Sequence, residues 1–198
     1  SIFNTIAGNI EIYDEEIIQE DLTIFGDWYG GKSIVFDGYG KEIWNTSNSQ
    51  FFLTNIDDYG RMYGFNGNMA IKFNFNNNIL YESDEVWNRH ELIESSNNYF
   101  LFKDVYEMGP IPLGPWTELY QDLGYVADGE TIELPWKVQN IIEIDDYGNQ
   151  VWEWKAFDHF DMNDYDSLGG TWFNALQNTT INYDFNHSNS IYFSEDDK

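Results

Sequence analysis

One local pattern recurs along this chain and constrains it most. An apolar or aromatic run meets Asp or Asn, a tight turn follows, and a second run ends on an aromatic residue. The pattern stands at Ile34–Trp44 (IVFDGYGKEIW), Ile71–Tyr81 (IKFNFNNNILY) and Ile141–Trp154 (IIEIDDYGNQVWEW). Aligning Asp37, Asn74 and Asp145 brings Gly40, Asn77 and Gly148 into line, and then Trp44, Tyr81 and Trp152. Asp and Asn supply turn chemistry, and Gly is free to take positive φ. The flanking runs have β-type composition. A recurrence of roughly 35–45 residues built from short strands is the spacing of propeller blades. The second interval is nearly twice the first, so it spans two periods or one period carrying an insertion.

The rest of the chain keeps this rhythm. Leu22–Phe25, Ser33–Phe36, Glu42–Trp44, Phe51–Asn55, Arg61–Phe65, Met69–Phe73 and Ile79–Tyr81 read as strands, with Gly, Asn or Asp between them. Glu91–Ser95 and Tyr99–Phe102 read as a hairpin around Ser96–Asn98. No amphipathic helical period is convincing. The expected fold is therefore all-β, a single β-propeller domain over residues 1–198. Residues 1–20 are an N-terminal extension with a strand pair around Asp14–Glu16. Residues 104–137, with three of the chain's prolines in MGPIPLGPW, read as a long irregular insertion. Residues 158–183 read as a second one, with a short helix near Trp172–Gln177, before a strand at Ser190–Phe193.

Composition narrows the function classes. Aromatic residues make up 19% of the 198 residues, enough for a packed core. The formal net charge of −26 leaves too few Lys and Arg to neutralise phosphates, which excludes nucleic-acid binding and disfavours an anionic membrane surface. No apolar run is long enough to span a membrane. With no cysteine, disulfides and thiolate metal sites are excluded. No signal peptide is visible. Sequons at Asn45, Asn178 and Asn186 are weakly consistent with export.

Few residues stand out as chemical candidates. His90, His159 and His187 each lie beside a strand edge or in a connection. In Asp184-Phe-Asn-His187-Ser-Asn189-Ser190, an Asp three residues before the histidine can orient its ring, so His187 suits acid, base or anion-binding work. The Asp161–Asp166 loop fails the calcium-loop pattern, with Asp166 where Gly is required and Trp172 where Glu is required. An irregular cation site there stays open, and no metal ligand or cofactor is assigned.

Three stretches together resemble the bacterial and archaeal arylsulfotransferase family. The first is Arg89-His90 with the hairpin from Glu91 to Phe102, similar to the family's His-His pair and following hairpin. The second is Val138–Trp154 followed by Asp158-His159, similar to its Asp-x-x-Gly, Val-Trp-x-Trp and later Asp-His. The third and most specific is Asp184–Ser190, similar to Asp-Trp-x-His-x-Asn-Ser. The resemblance covers roughly residues 20–198. It implies a six-bladed propeller with a central site, of which this chain supplies roughly three to five blades. It also implies transfer of a sulfuryl group from a phenolic sulfate ester to a phenol through a sulfated histidine, without a nucleotide donor. On it, His187 and His90 are catalytic, and Arg89, Asn189 and His159 bind substrate. Arg89 departs from the family's first His. The family's Ser-Ser-Arg motif and nucleophilic His fall beyond residue 198, so the chain alone is expected to be inactive.

The expected partners are a small aromatic sulfate ester and a phenol acceptor, and the expected compartment is periplasmic or secreted. The alternatives are a non-catalytic propeller that binds a protein, glycan or small molecule, and an acidic exported repeat protein. The propeller fold serves all three.

Overall fold

The computed structural model describes residues 21–86, 88–178, 180–192 and 194, so the strand pair expected around Asp14–Glu16 lies outside the described residues. The first sheet holds β1 (Thr23–Asp27), β2 (Lys32–Phe36) and β3 (Glu42–Asn45). The second holds β4 (Phe51–Ile56), β5 (Met62–Asn66), β6 (Met69–Phe73) and β7 (Ile79–Val86). The third holds β8 (Asn88–Ser95), β9 (Asn98–Pro110), β10 (Ile132–Ile144) and β11 (Gln150–Trp154). Each sheet is an antiparallel meander in chain order, and β12 (Tyr183–Asp184) adds in parallel beside Trp136 and Lys137 of β10. The all-β class is what the chain adopts.

The recurring turns explain the meanders. Gly40, Asn77 and Gly148 all have positive φ, at 72°, 59° and 82°. At Asp145 the carboxylate accepts the backbone N–H of Tyr147 and Asn149, while Gly148 N donates to the Asp145 carbonyl. This is a type I turn followed by a left-handed residue, whose twist suits an antiparallel hairpin. The three aligned turns join β2 to β3, β6 to β7 and β10 to β11, the last two strands of each sheet. The long second interval is therefore one period carrying an insertion. A fourth turn of identical bonding, Asp57–Gly60, joins β4 to β5.

The insertion is shorter than the sequence implies. Strands β9 and β10 stay paired from Tyr99↔Ile144 to Pro110↔Ile132, so irregular structure is confined to residues 111–131, around α1 (Thr117–Asp122). Pro110 is the last residue of β9, where a missing N–H does little harm to the ladder. Residues 155–182 form the second excursion, with single 3-10 turns and α2 (Gly170–Ala175). The strand expected from Ser190 is not formed over the described residues 190–192.

Successive sheets pack face to face. β4 lies against β1 and β2, and β8 lies against β4 and β5. Gly26 permits the first contact, since a Cβ there would lie 2.3 Å from the Leu53 carbonyl oxygen. Phe51, Leu53, Met62, Ile71 and Phe73 fill one core, with Ile24 and Trp44 of the first sheet packed on it. Tyr63, Phe65, Leu92, Leu101 and Ile142 fill the next. Each such side chain contributes roughly 1.5–3 kcal/mol of burial. A third core ties the two excursions together: Trp172 stacks on Tyr183 at 3.8 Å and on Trp116 at 5.6 Å, with Trp136 of β10 edge-on.

The meander order gives the molecule two distinct ends. The Asp37, Asp57, Asn74, Ser96–Asn97 and Asp145 turns gather at one, the turn end. The Trp28–Gly31 loop, the start of β8 and both excursions lie at the other, the loop end.

Candidate functional site at the loop end

The site begins with an irregularity in β8. Its register on β9 jumps from Asn88↔Phe102 to Leu92↔Leu101, so Arg89, His90 and Glu91 bulge out of the ladder. Bulges re-aim side chains, and here Asn88 shapes the bulge. Its Oδ1 accepts the His90 backbone N–H at 3.1 Å, and its Nδ2 donates to Asp104 Oδ1 at 2.8 Å. The side chain of Arg89 falls outside the described residues.

His90 is thereby brought to two partners from distant parts of the chain. The Trp28 ring, from the loop between β1 and β2, stacks on it at 5.3 Å with 18° between planes. The His187 ring lies 5.9 Å away. Trp28 is itself held edge-on by Phe52 at 5.2 Å. Burial pushes the His90 imidazole below its usual value, and the nearby His187 and Lys137 push the same way against Asp104 and Asp184. The neutral imidazole, which carries a nucleophilic lone pair, is favoured.

His187 is positioned by the segment after β12. Gln139 holds that segment to β10. Its backbone N–H donates to Asn186 Oδ1 at 2.8 Å, and its carbonyl accepts from Asn186 Nδ2 at 3.1 Å. Its side-chain oxygen takes the Ser188 N–H at 3.0 Å, and its amide nitrogen donates to Asp104 Oδ1 at 3.2 Å. His187 sits at φ 36°, a conformation that costs a non-glycine residue about 1 kcal/mol. Its Nδ1–H donates to Asp184 Oδ2 at 2.6 Å, which leaves Nε2 for other partners. Lys137 lies 3.5 Å from Asp104 and 3.9 Å from Asp184.

The other expected site residues fall in different places. Asn189 turns its amide back onto the His187 carbonyl at 3.1 Å, so it braces the His187 backbone. His159 stacks flat on Trp154 at 4.7 Å, after β11. In the Asp-rich loop, Asp161 accepts the Asn163 N–H and Asp164 accepts the Asp161 N–H. Asp166 takes Leu168 and Thr171. Those carboxylates cap their own backbone. Among the described residues, no group of three or more His, Asp or Glu side chains is placed to hold a metal ion. No helix there is long and apolar enough to cross a membrane.

Trp28, Asn88, Asp104, Lys137 and Gln139 went unread in the sequence as site residues. Only Trp28 carried a signal, as a large aromatic in an otherwise polar, Gly-rich turn. Glu91 was also unread. Its Oε1 is buried and has no hydrogen-bond partner among the described residues. Burial pushes its carboxyl up to about 7, against hydrogen bonds from the Leu92 backbone, Thr54 and the Ile191 backbone that favour the ionised form.

No protein-family model, curated protein or solved structure matches this chain. The fold and the site define it as an all-β protein of successive meanders with a histidine pair at its loop end.

Proposed function

We propose that the chain is part of a β-propeller that transfers a sulfuryl group from a phenolic sulfate ester to a phenol. The packing of each sheet's first strand on the sheet before it supports the propeller reading, with three blades in the described residues. The observation that carries the chemical reading is the meeting of Trp28, His90 and His187. An indole face suits an aryl ring, and paired imidazoles suit a sulfuryl group.

In this reading a neutral imidazole nitrogen bonds to sulfur, the ester S–O bond breaks, and the phenolate leaves. The acceptor phenol then attacks the same sulfur, loses its proton and releases the imidazole. A histidine held by a carboxylate, as His187 is by Asp184, serves to stabilise sulfuryl oxygens and to exchange protons. The resemblance to arylsulfotransferases assigns the nucleophile to a histidine other than His90 and His187. The test is acceptor-dependent release of 4-nitrophenol from 4-nitrophenyl sulfate by the full-length translation product, beside its His187→Ala and His90→Ala variants.

A second reading rests on a different observation. Lys137 is shared between Asp104 and Asp184, so the local charge favours a neutral ligand over an anionic sulfate ester. In that reading the site is a binding module for a glycan, a protein or a small molecule. A folded protein with no transfer activity distinguishes it.

A further inference from the structure

The turn end carries a repeated feature that folding does not explain. Three of its turns read Asp-x-Tyr-Gly: Asp37–Gly40, Asp57–Gly60 and Asp145–Gly148. The Asp caps the turn and the Gly takes positive φ, so both are needed for the hairpin. To the turn itself the Tyr contributes only its backbone N–H, which any residue but Pro supplies, and Tyr59 adds a single exposed contact with Arg61. Yet its ring stands in solvent, 63% exposed at Tyr39, 85% at Tyr59 and 87% at Tyr147. The Asn74 turn provides an internal contrast. There Asn76 stands in the Tyr position, and the aromatic one residue earlier, Phe75, packs edge-on against Trp44 at 5.2 Å.

Beside Tyr59 the surface opens into a cleft of about 460 Å³, bounded by the Asp57–Arg61 turn and by Ser95, Ser96 and Asn97. Its charged floor is balanced internally. Arg61 pairs with Asp57, Lys72 pairs with Glu94 at 2.7 Å, and the Tyr63 hydroxyl contacts both carboxylates. Arg61 also lies over one face of the Tyr59 ring at 5.3 Å from its centroid, which leaves the other face to solvent. The rim offers amides and hydroxyls, together with the free carboxylate of Asp58.

We propose that this end is a binding face for a neutral polysaccharide, with Tyr59 and its cleft as the main subsite and Tyr39 and Tyr147 as outlying stacking platforms. Exposed rings of this kind suit the apolar faces of sugar rings, and the rim suits their hydroxyls. A net charge of −26 repels acidic polymers, and the paired floor offers no free cation to an anion. Separate platforms engaging one chain gain affinity by multivalency. The inference is independent of the chemistry at the loop end.

The test is native electrophoresis of the whole chain through gels cast with hydroxyethylcellulose, glucomannan or dextran. Retardation in at least one gel, undiminished by high salt, is the expected result. Tyr59→Ala should weaken it about three- to tenfold, the scale of one aromatic contact, and Tyr59→Trp should retain it. A Tyr39, Tyr59 and Tyr147 triple Ala variant should migrate as in a plain gel, with an unchanged melting temperature. If the triple variant melts early, the single variants decide. Free migration of the parent in all three gels overturns the inference, as does wild-type retardation of a folded triple variant. Salt-sensitive binding to polylysine without retardation by any of the three polysaccharides also overturns it, and makes the face a surface for a basic protein.

Discussion

Replacing Glu91 with Gln should make the protein more stable at alkaline pH, although it removes a charge from an otherwise polar bulge. The carboxyl stands at about 7 in the folded chain against an ordinary value of 4.5. Between those values the folded state holds a proton that the unfolded state has lost. Stability therefore falls as pH rises through that window and levels off above it. At ~1.36 kcal/mol per pH unit, the window sets a ceiling of about 3 kcal/mol. Partial access of water to a group that is not fully buried halves this, to about 1–2 kcal/mol. Gln keeps the shape without the titration. Urea unfolding of parent and Glu91→Gln at pH 5, 6, 7 and 8 isolates the effect, because the rest of this acidic chain titrates alike in both. The difference in stability should shift in the variant's favour by about 1–2 kcal/mol from pH 5 to pH 8. Parallel curves would refute the reasoning and show Glu91 to be ionised in the folded chain across that range.

Three further outcomes follow from the same geometry. Gln139→Leu should release the His187 segment, since Ser188 N–H and Asp104 each lose a partner. Hydrogen exchange should show lost protection at Ser188, with a stability cost of about 2–3 kcal/mol. Trp28→Ala should expose His90 and raise its pKa towards the usual value, read by NMR titration of the imidazole. Lys72→Met should leave Glu94 enclosed without its nearer cation, with only Arg61 at 3.9 Å. Burial raises that carboxyl, but hydrogen bonds and charges from Lys72, Tyr63 and Arg61 outweigh it and hold it below its ordinary value. The pairing thus stabilises the fold at neutral pH, and its contribution fades as pH falls through the lowered value. The variant should lose about 3 kcal/mol at pH 7 and less at pH 3, measured in urea.

The strand pattern was legible because each turn is specified by its own residues. Asp37, Asn74 and Asp145 carry their caps in sequence, and the turns they make occupy equivalent places in three sheets. The fourth copy, Asp57–Gly60, stands outside the aligned repeat, because it joins the first two strands of its sheet. The extent of β9 and β10 was not legible. Prolines in MGPIPLGPW are loop signals, and only the pairing of Pro110 with Ile132 across the sheet shows that Pro110 closes a strand. At the loop end, His90 and His187 were singled out from residue type and neighbours. Trp28, Asp104, Lys137 and Gln139 reach them through sheet packing and a parallel strand addition, which no local pattern encodes. His159 shares its residue type with the pair, yet its neighbour is Trp154.

The measurement that bears most directly on the proposed chemistry is sulfuryl transfer from 4-nitrophenyl sulfate to phenol by the full-length translation product. The expected result is 4-nitrophenol release that requires the phenol acceptor and falls by about 10²–10³-fold in His187→Ala, the scale of losing one group that stabilises the transferring charge. Absence of acceptor-dependent release from a folded protein would contradict it, as would release at the parent rate in both His90→Ala and His187→Ala.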